Sequence, residues 1–378
     1  MRAGLLAAAN KKRPKNTPPA RHVAAAYTIE HLFSDWQRSP RWSAGGIEKG
    51  KRVEKAYAPN TQADYRQKMR VIERHDPELY TAAVDALDET ILYGLYEELW
   101  EARGNATARG VILTLSSAIS WGRKRGKLKL RTNPALRLGM QVPEPRVRFG
   151  ERQELRALVA AADAFGRPEI GDAIMLGLWT GQRQQDRLAL VVHRSELTRG
   201  RRVFRQQKTG EIVAILEAPD LEARLAEARR RREKASVVNA HVILDEKQWK
   251  PFGRYHYRHL FAQIRKLAVV GLLPHETPDE ALKRGTPGEN AHAAGAWRLK
   301  PCPSLDGFHD QDLRDTAVTW IALGGATIPE IISVTGHTAE SATTILKHYL
   351  ARHPEMADAA IGKMIVRWND LDDSDGGL

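Results

Sequence analysis

The sequence predicts a mostly α-helical protein with one small antiparallel β-sheet, arranged as two domains. Three observations carry that prediction. Apolar residues recur at the three-to-four-residue spacing of helices in both halves of the chain. A single pair of short runs, 203–207 and 211–216, is separated by a tight turn, Lys208-Thr209-Gly210. An aperiodic stretch at 142–148 holds Pro143 and Pro145 and divides the two patterned regions. With 378 residues, each part is long enough to enclose its own core. The expected boundaries are a basic arm over 1–26, a helical domain over 27–141, a linker over 142–150, a second domain over 151–368 and an acidic tail over 369–378.

In the first domain Ile29, Leu32, Phe33 and Trp36 form one apolar helix face. Asn60 or Thr61 is placed to cap a helix bearing Tyr65, Met69 and Ile72, and the runs 92–100 and 111–121 supply two more helices. This is the pattern of a small helical bundle. It ends in the basic turn GRKRGKLKLRTNP, residues 122–134, where Arg123, Lys124, Arg125, Lys127 and Lys129 are candidate phosphate contacts.

In the second domain the run DAIMLGLW, 172–179, has helical spacing and stops at Thr180 and Gly181, where glycine can take the left-handed conformation that ends a helix. Arg183 then begins the next helix, whose free N–H groups favour an anion, and Asp186 lies one turn on, placed to brace the guanidinium. The hairpin carries Lys208 at its tip. The run 229–232, all arginine, lies on a polar helix as either a DNA-facing patch or a solvated face, and the solvated face is preferred. A helix around 315–323 ends at Gly324 and Gly325, and the next opens with Thr327, Pro329 and Glu330 in capping-box spacing. That helix ends at Gly336, His337 follows, and 338–347 leads into Tyr349 as another helix. Beyond it Ile361, Met364, Ile365 and Trp368 repeat at helical spacing.

Five of these residues suit chemistry on a phosphodiester. Arg183 and Arg314 can each present a planar fork of donors to the non-bridging oxygens of one phosphate and favour the charge of a pentacoordinate transition state. Lys208, on a turn, can approach a leaving oxygen as a general acid. The Tyr349 hydroxyl is a weak nucleophile at its free pKa of about 10, but neighbouring cations and His337 lower the cost of forming phenolate during attack. Any one of these residues alone would be unremarkable on a helix end or a turn. Their joint order gives them meaning.

The blocks LWTGQRQQDRLAL, FRQQKTGEIV, FHDQDLRDTAVTWIAL and ISVTGHTAESATTILKHYL, spread over 178–350, resemble those of the tyrosine recombinases of the phage integrase family, in the family's order. The resemblance implies a helical core-binding bundle followed by an α+β catalytic domain, the two lobes closing on duplex DNA. It makes Arg183 and Arg314 the clamp arginines, Lys208 the hairpin lysine, His337 the histidine of the last block and Tyr349 the nucleophile. No tyrosine follows Tyr349. One block departs from the pattern: the family usually has a histidine three residues before the second arginine, where this chain has Gln311. Either Gln311 takes that place with a neutral hydrogen bond, or His309 swings into the same pocket. The first is preferred, because the helix start sets position 311 relative to Arg314 and does not set 309.

Composition agrees with a nucleic-acid partner. Lysine and arginine number 59 against 46 acids, for a net charge of +13 and a pI near 9.8. Arg2, Lys11, Lys12, Arg13, Lys15 and Arg21 lie in the arm, while Asp370, Asp372, Asp373 and Asp375 lie in the tail. The single cysteine, Cys302, leaves no internal disulfide and no cysteine-rich zinc site, which fits a reducing cytoplasm. No apolar run is long enough for a bilayer, and the short one in MRAGLLAAANKKR precedes its lysines, the reverse of a signal peptide's order. No nucleotide-binding glycine loop and no acidic magnesium cluster is present, so no cofactor is expected. The family resemblance implies double-stranded recombination sites as partner, a homotetramer on synapsed DNA and an accessory DNA-bending or excision factor. Two other readings stand beside it: a silenced DNA-binding regulator of the same fold, and a type IB topoisomerase-like enzyme.

Overall fold

The computed structural model describes residues 26–43, 56–144, 146, 148–191, 201–287, 297–349, 358 and 361–366. The chain divides into two compact units, Met1–Glu144 and Pro145–Leu378.

The first unit is built on four longer helices: α1 (Ile29–Gln37), α2 (Pro59–His75), α3 (Glu89–Arg103) and α4 (Asn105–Lys124). Ile29, Leu32, Phe33 and Trp36 are all buried, and α4 supplies the opposing wall through Val111, Ile112, Leu115 and Ile119. Helix α2 does not start at Asn60 or Thr61. Its N-cap is Ala58 and Pro59 is the first helical residue, a place where proline's fixed φ is already helical and its missing N–H costs nothing.

The second unit wraps α5 (Arg152–Ala164), α6 (Pro168–Thr180) and α9 (Arg254–Val270) around one core, in which Leu158, Ile174, Ile264 and Leu267 are fully enclosed. Between α6 and α9 lie the short α7 (Gln184–Leu188), strands β1 (Arg201–Arg205) and β2 (Ile212–Leu216), and α8 (Pro219–Lys234). The strands pair antiparallel from Arg201↔Leu216 to Arg205↔Ile212, with Phe204, Val213 and Ile215 turned into the core. The first strand therefore ends earlier than its alternation suggests. Gln206 has left the ladder to close the turn, giving its N–H to the Glu211 carbonyl (2.8 Å) and accepting from Gly210 N–H (2.8 Å).

Helices α10 (Asp312–Leu323), α11 (Ile328–Thr335) and α12 (Ala339–Tyr349) complete the unit around a small satellite core of Val318, Ala322 and Ile331. The Thr327–Glu330 capping box opens α11. Residues 361–366 are helical, with Ile361, Met364 and Ile365 exposed. The 1–25 part of the arm, Trp368 and the acidic tail lie outside the described residues. No helix among the described residues is long and apolar enough to cross a membrane.

Two basic segments differ from their expected surroundings. Arg146 donates to the Gly307 carbonyl (2.6 Å) and Asp312 (2.7 Å), and Arg148 pairs with Glu154 (2.5 Å), so this end of the linker is fastened to the second unit. In the run 229–232, Arg229 and Arg230 are solvated, but Arg231 binds Asp172 and Glu246, and Arg232 donates to the carbonyls of Asn239, His241 and Val242. Half of that run is structural.

Candidate active site

Two left-handed helix ends and the first turn of a third helix converge in the second unit. Helix α6 ends at Gly181, whose φ of +61° is left-handed and whose missing Cβ would meet Thr335 and Ala317 at 3.1 and 3.3 Å. This turn delivers Arg183 to the N-cap of α7, and α7 has only five residues, so its end charge adds little to the arginine's own. Helix α11 ends in the same way at Gly336 (φ +62°) and delivers His337. Helix α10 runs between them and supplies Arg314 from its first turn.

Arg314 is 7% exposed and donates Nη1 to the Gly181 carbonyl at 2.6 Å. Its Nε and Nη2 point at His337 Nε2, at 3.1 and 2.8 Å. The histidine's tautomer follows from its other side. Thr335 Oγ1 gives its proton to the Ile331 carbonyl (2.7 Å), so it accepts from His337 Nδ1–H (2.9 Å), leaving Nε2 as a lone pair facing Arg314. Burial first, then Arg314 and Arg183, push the His337 pKa down to about 3. Burial and then Arg183 push that of Arg314 down to about 9. Among the described residues no hydrogen bond of Arg314 ends on a carboxylate, and Arg183 reaches Asp186 only at 3.9 Å. The nearby carboxylates, Asp186 and Asp315, act on these two cations through space and not through a hydrogen bond.

Asp186 therefore braces Arg183 only at long range. Its Oδ1 accepts the backbone N–H of Gln207 at 2.9 Å, which ties the hairpin turn to α7. Lys208 sits exposed at the tip of that turn. Gln206, fully buried, does what no sequence signal indicated: its Oε1 accepts from Arg183 Nη1 at 2.8 Å, and its Nε2 donates to the Thr335 carbonyl at 2.7 Å.

Gln311 is the exposed N-cap of α10, with its carbonyl accepting from Arg314 N–H at 3.0 Å and its side chain making no cap bond. His309 is also exposed, and its backbone N–H donates to Asp312 (2.7 Å). Neither side chain is bonded to the clamp. Tyr349 is the last residue of α12, and its side chain lies outside the described residues.

A second arginine, one turn after Arg183, was also unforeseen. Arg187 is buried, with Nη2 on Asp310 (2.6 Å), Nη1 on the Ala173 carbonyl (2.5 Å) and Nε on the Gln182 carbonyl (3.1 Å). Tyr257 donates its hydroxyl to the other Asp310 oxygen at 2.9 Å. No local sequence signal marks it, because its partner Asp310 lies 123 residues on.

In the first unit the basic turn is partly spent internally. Arg123 donates to the carbonyls of Leu130 (2.9 Å) and Arg131, and Lys127 pairs with Asp35 at 2.6 Å. Arg125 lies over the Trp121 ring, 5.2 Å from its centroid. Lys124, Arg125 and Lys129 remain exposed.

No protein-family model matches this chain, and no curated protein sequence does either. Solved structures do. A lambda integrase (75–356) dimer bound to a COC′ core site aligns with a TM-score of 0.57 at 16% identity, covering 84% of this chain and 95% of that one. A lambda integrase tetramer bound to a Holliday junction gives 0.57 and 16%, covering 84% and 78%. The Tn1549 transposon integrase (82–397) in complex with circular intermediate DNA gives 0.58 and 16%, covering 88% and 99%. The mostly helical architecture, with one two-stranded antiparallel sheet among the described residues, matches the fold of these integrases.

Proposed function

We propose that this chain is a site-specific tyrosine recombinase, cutting and rejoining DNA through a 3′-phosphotyrosine intermediate. The observation that carries the reading is the convergence of Arg183, Arg314 and His337 with no carboxylate of the described residues in hydrogen-bond contact. A phosphodiester placed there supplies the missing negative charge, and Arg314 and Arg183 stabilise it most when it becomes pentacoordinate. The integrase neighbours, captured on DNA and in one case as a tetramer on a Holliday junction, support DNA as the partner and four protomers as the working assembly.

In the proposed reaction the Tyr349 oxygen attacks phosphorus, the P–O5′ bond breaks, and the departing 5′ oxygen takes a proton from Lys208. The phenolic proton is released. One phosphodiester has replaced another, so the bond energy is kept for religation. A 5′-hydroxyl from the partner duplex reverses the step, and two rounds of exchange recombine the sites. Integration or excision of a prophage or other mobile element is the biological role this chemistry fits.

The test is covalent trapping on a nicked duplex, drawn by binding selection from a randomised pool, with wild type beside Tyr349→Phe and with chelator present. We expect a protein–DNA adduct, stable in denaturant, that the Tyr349→Phe variant does not form although it binds the same duplex. An adduct that persists in the variant would remove Tyr349 from the role. Tight binding without any adduct would favour a silenced DNA-binding protein.

A further inference from the structure

Arg183 has little to hold it. Its nearest carboxylate is 3.9 Å away, its side chain is about a quarter exposed, and α7 is too short to fix it by packing. The group that does hold it is an uncharged amide. Gln206 is completely buried in the turn between β1 and β2, and all four of its amide hydrogen-bonding positions are occupied. Oε1 accepts from Arg183 Nη1 (2.8 Å) and from Thr209 Oγ1 (3.1 Å); Nε2 donates to Gln182 Oε1 (2.8 Å) and to the Thr335 carbonyl (2.7 Å). This pattern settles which way the amide points, because the reverse orientation would aim an N–H at the guanidinium.

The four partners come from three segments of the chain. Gln182 belongs to the Gly181 turn and is itself anchored on the Val334 carbonyl (2.8 Å), Thr209 neighbours Lys208, and Thr335 precedes Gly336 and His337. A Cβ on Gly336 would lie 2.4 Å from Gln206 Nε2, so the glycine is needed for this approach as well as for its left-handed turn. We infer that Gln206 is a positioning residue of the clamp: its buried amide, anchored on the Lys208 turn and on the end of α11, acts by setting Arg183. A neutral amide suits this task, since a carboxylate there would satisfy Arg183 and compete with the phosphate. The inference rests on the recombinase reading.

Its test is a double-mutant cycle on the rate of covalent trapping, with the nicked duplex above. Gln206→Met keeps the length and removes every hydrogen bond. With Arg183 intact we expect the trapping rate to fall about 10- to 100-fold, the scale of a misplaced reacting group, while duplex affinity stays within about threefold. In an Arg183→Ala background the same change should alter the residual rate by no more than about twofold. Equal losses in both backgrounds would mean a general structural role and overturn the inference, with the recombinase reading intact. A wild type that traps no DNA would overturn that reading and the inference with it. Should Gln206→Met fail to fold, as read by its melting curve, Gln206→Glu carries the same cycle: it keeps the oxygen that Arg183 uses and adds the competing charge. Loss of trapping that requires Arg183 supports the inference, and loss independent of Arg183 overturns it.

Discussion

Two arginine centres lie one helical turn apart and are built in opposite ways. Arg187 is closed: buried, salt-bridged to Asp310 at 2.6 Å, with Tyr257 on the other carboxylate oxygen. Arg183 and Arg314 are open: they face each other and a neutral histidine, and their hydrogen bonds end on a carbonyl, an amide and a ring nitrogen. Residue type does not separate a structural cation from a ligand-binding one. The carboxylate does. Where it is present the charge is satisfied and the group holds helices together; where it is withheld the charge waits for an anion brought from outside.

The largest expected effect comes from opening the closed centre. Asp310→Asn keeps a partner for Tyr257 but leaves the Arg187 charge buried and unpaired, which should cost about 3–5 kcal/mol of stability by denaturant unfolding. Adding Arg187→Met should recover most of it, because the pair is removed together. If Asp310→Asn unfolds at the wild-type midpoint, the closed centre is not holding the fold.

The open centre should behave in the reverse way. Arg314→Ala removes a buried cation that no carboxylate of the described residues hydrogen-bonds and whose charge burial disfavours, so the melting temperature should hold or rise, while covalent trapping falls at least about 100- to 1,000-fold, as for loss of a transition-state donor. A variant that loses stability and keeps its trapping rate would show that Arg314 belongs with Arg187.

Much of this was legible in the sequence, and the reason is local. Gly181, Gly336, the Thr327–Glu330 box and the Lys208 turn are settled within a few residues, and each appears where its spacing puts it. Partners distant in the chain were not legible. Arg187 reads as a surface arginine until Asp310, 123 residues on, folds against it, and Gln206 reads as a polar strand residue until Thr335, 129 residues on, arrives. The same applies to Arg231, whose carboxylate Asp172 lies 59 residues earlier. Gln311 shows the limit from the other side: its backbone is set by the start of α10, yet its exposed side chain makes no cap bond that would reveal a role.

The smallest effect is a pH dependence, and its two arms run in opposite directions. In the free protein His337 is held neutral, its pKa about 3 against about 6.5 when unfolded, so the stability it confers is complete above pH 6.5 and is lost as pH falls toward 3. A phosphate bound between Arg183 and Arg314 reverses the local field and turns the Arg314 guanidinium away from Nε2, which favours the protonated ring. Binding then takes up a proton, and duplex affinity should rise as pH is lowered from 8 to 6, with a slope below about tenfold per unit. His337→Asn should flatten that slope and also remove the acid-side loss of stability in the free protein. Titrations of the wild type and His337→Asn at fixed salt, followed by fluorescence anisotropy, would check it. An equal slope in the asparagine variant would place the proton elsewhere and leave His337 a neutral prop for Arg314.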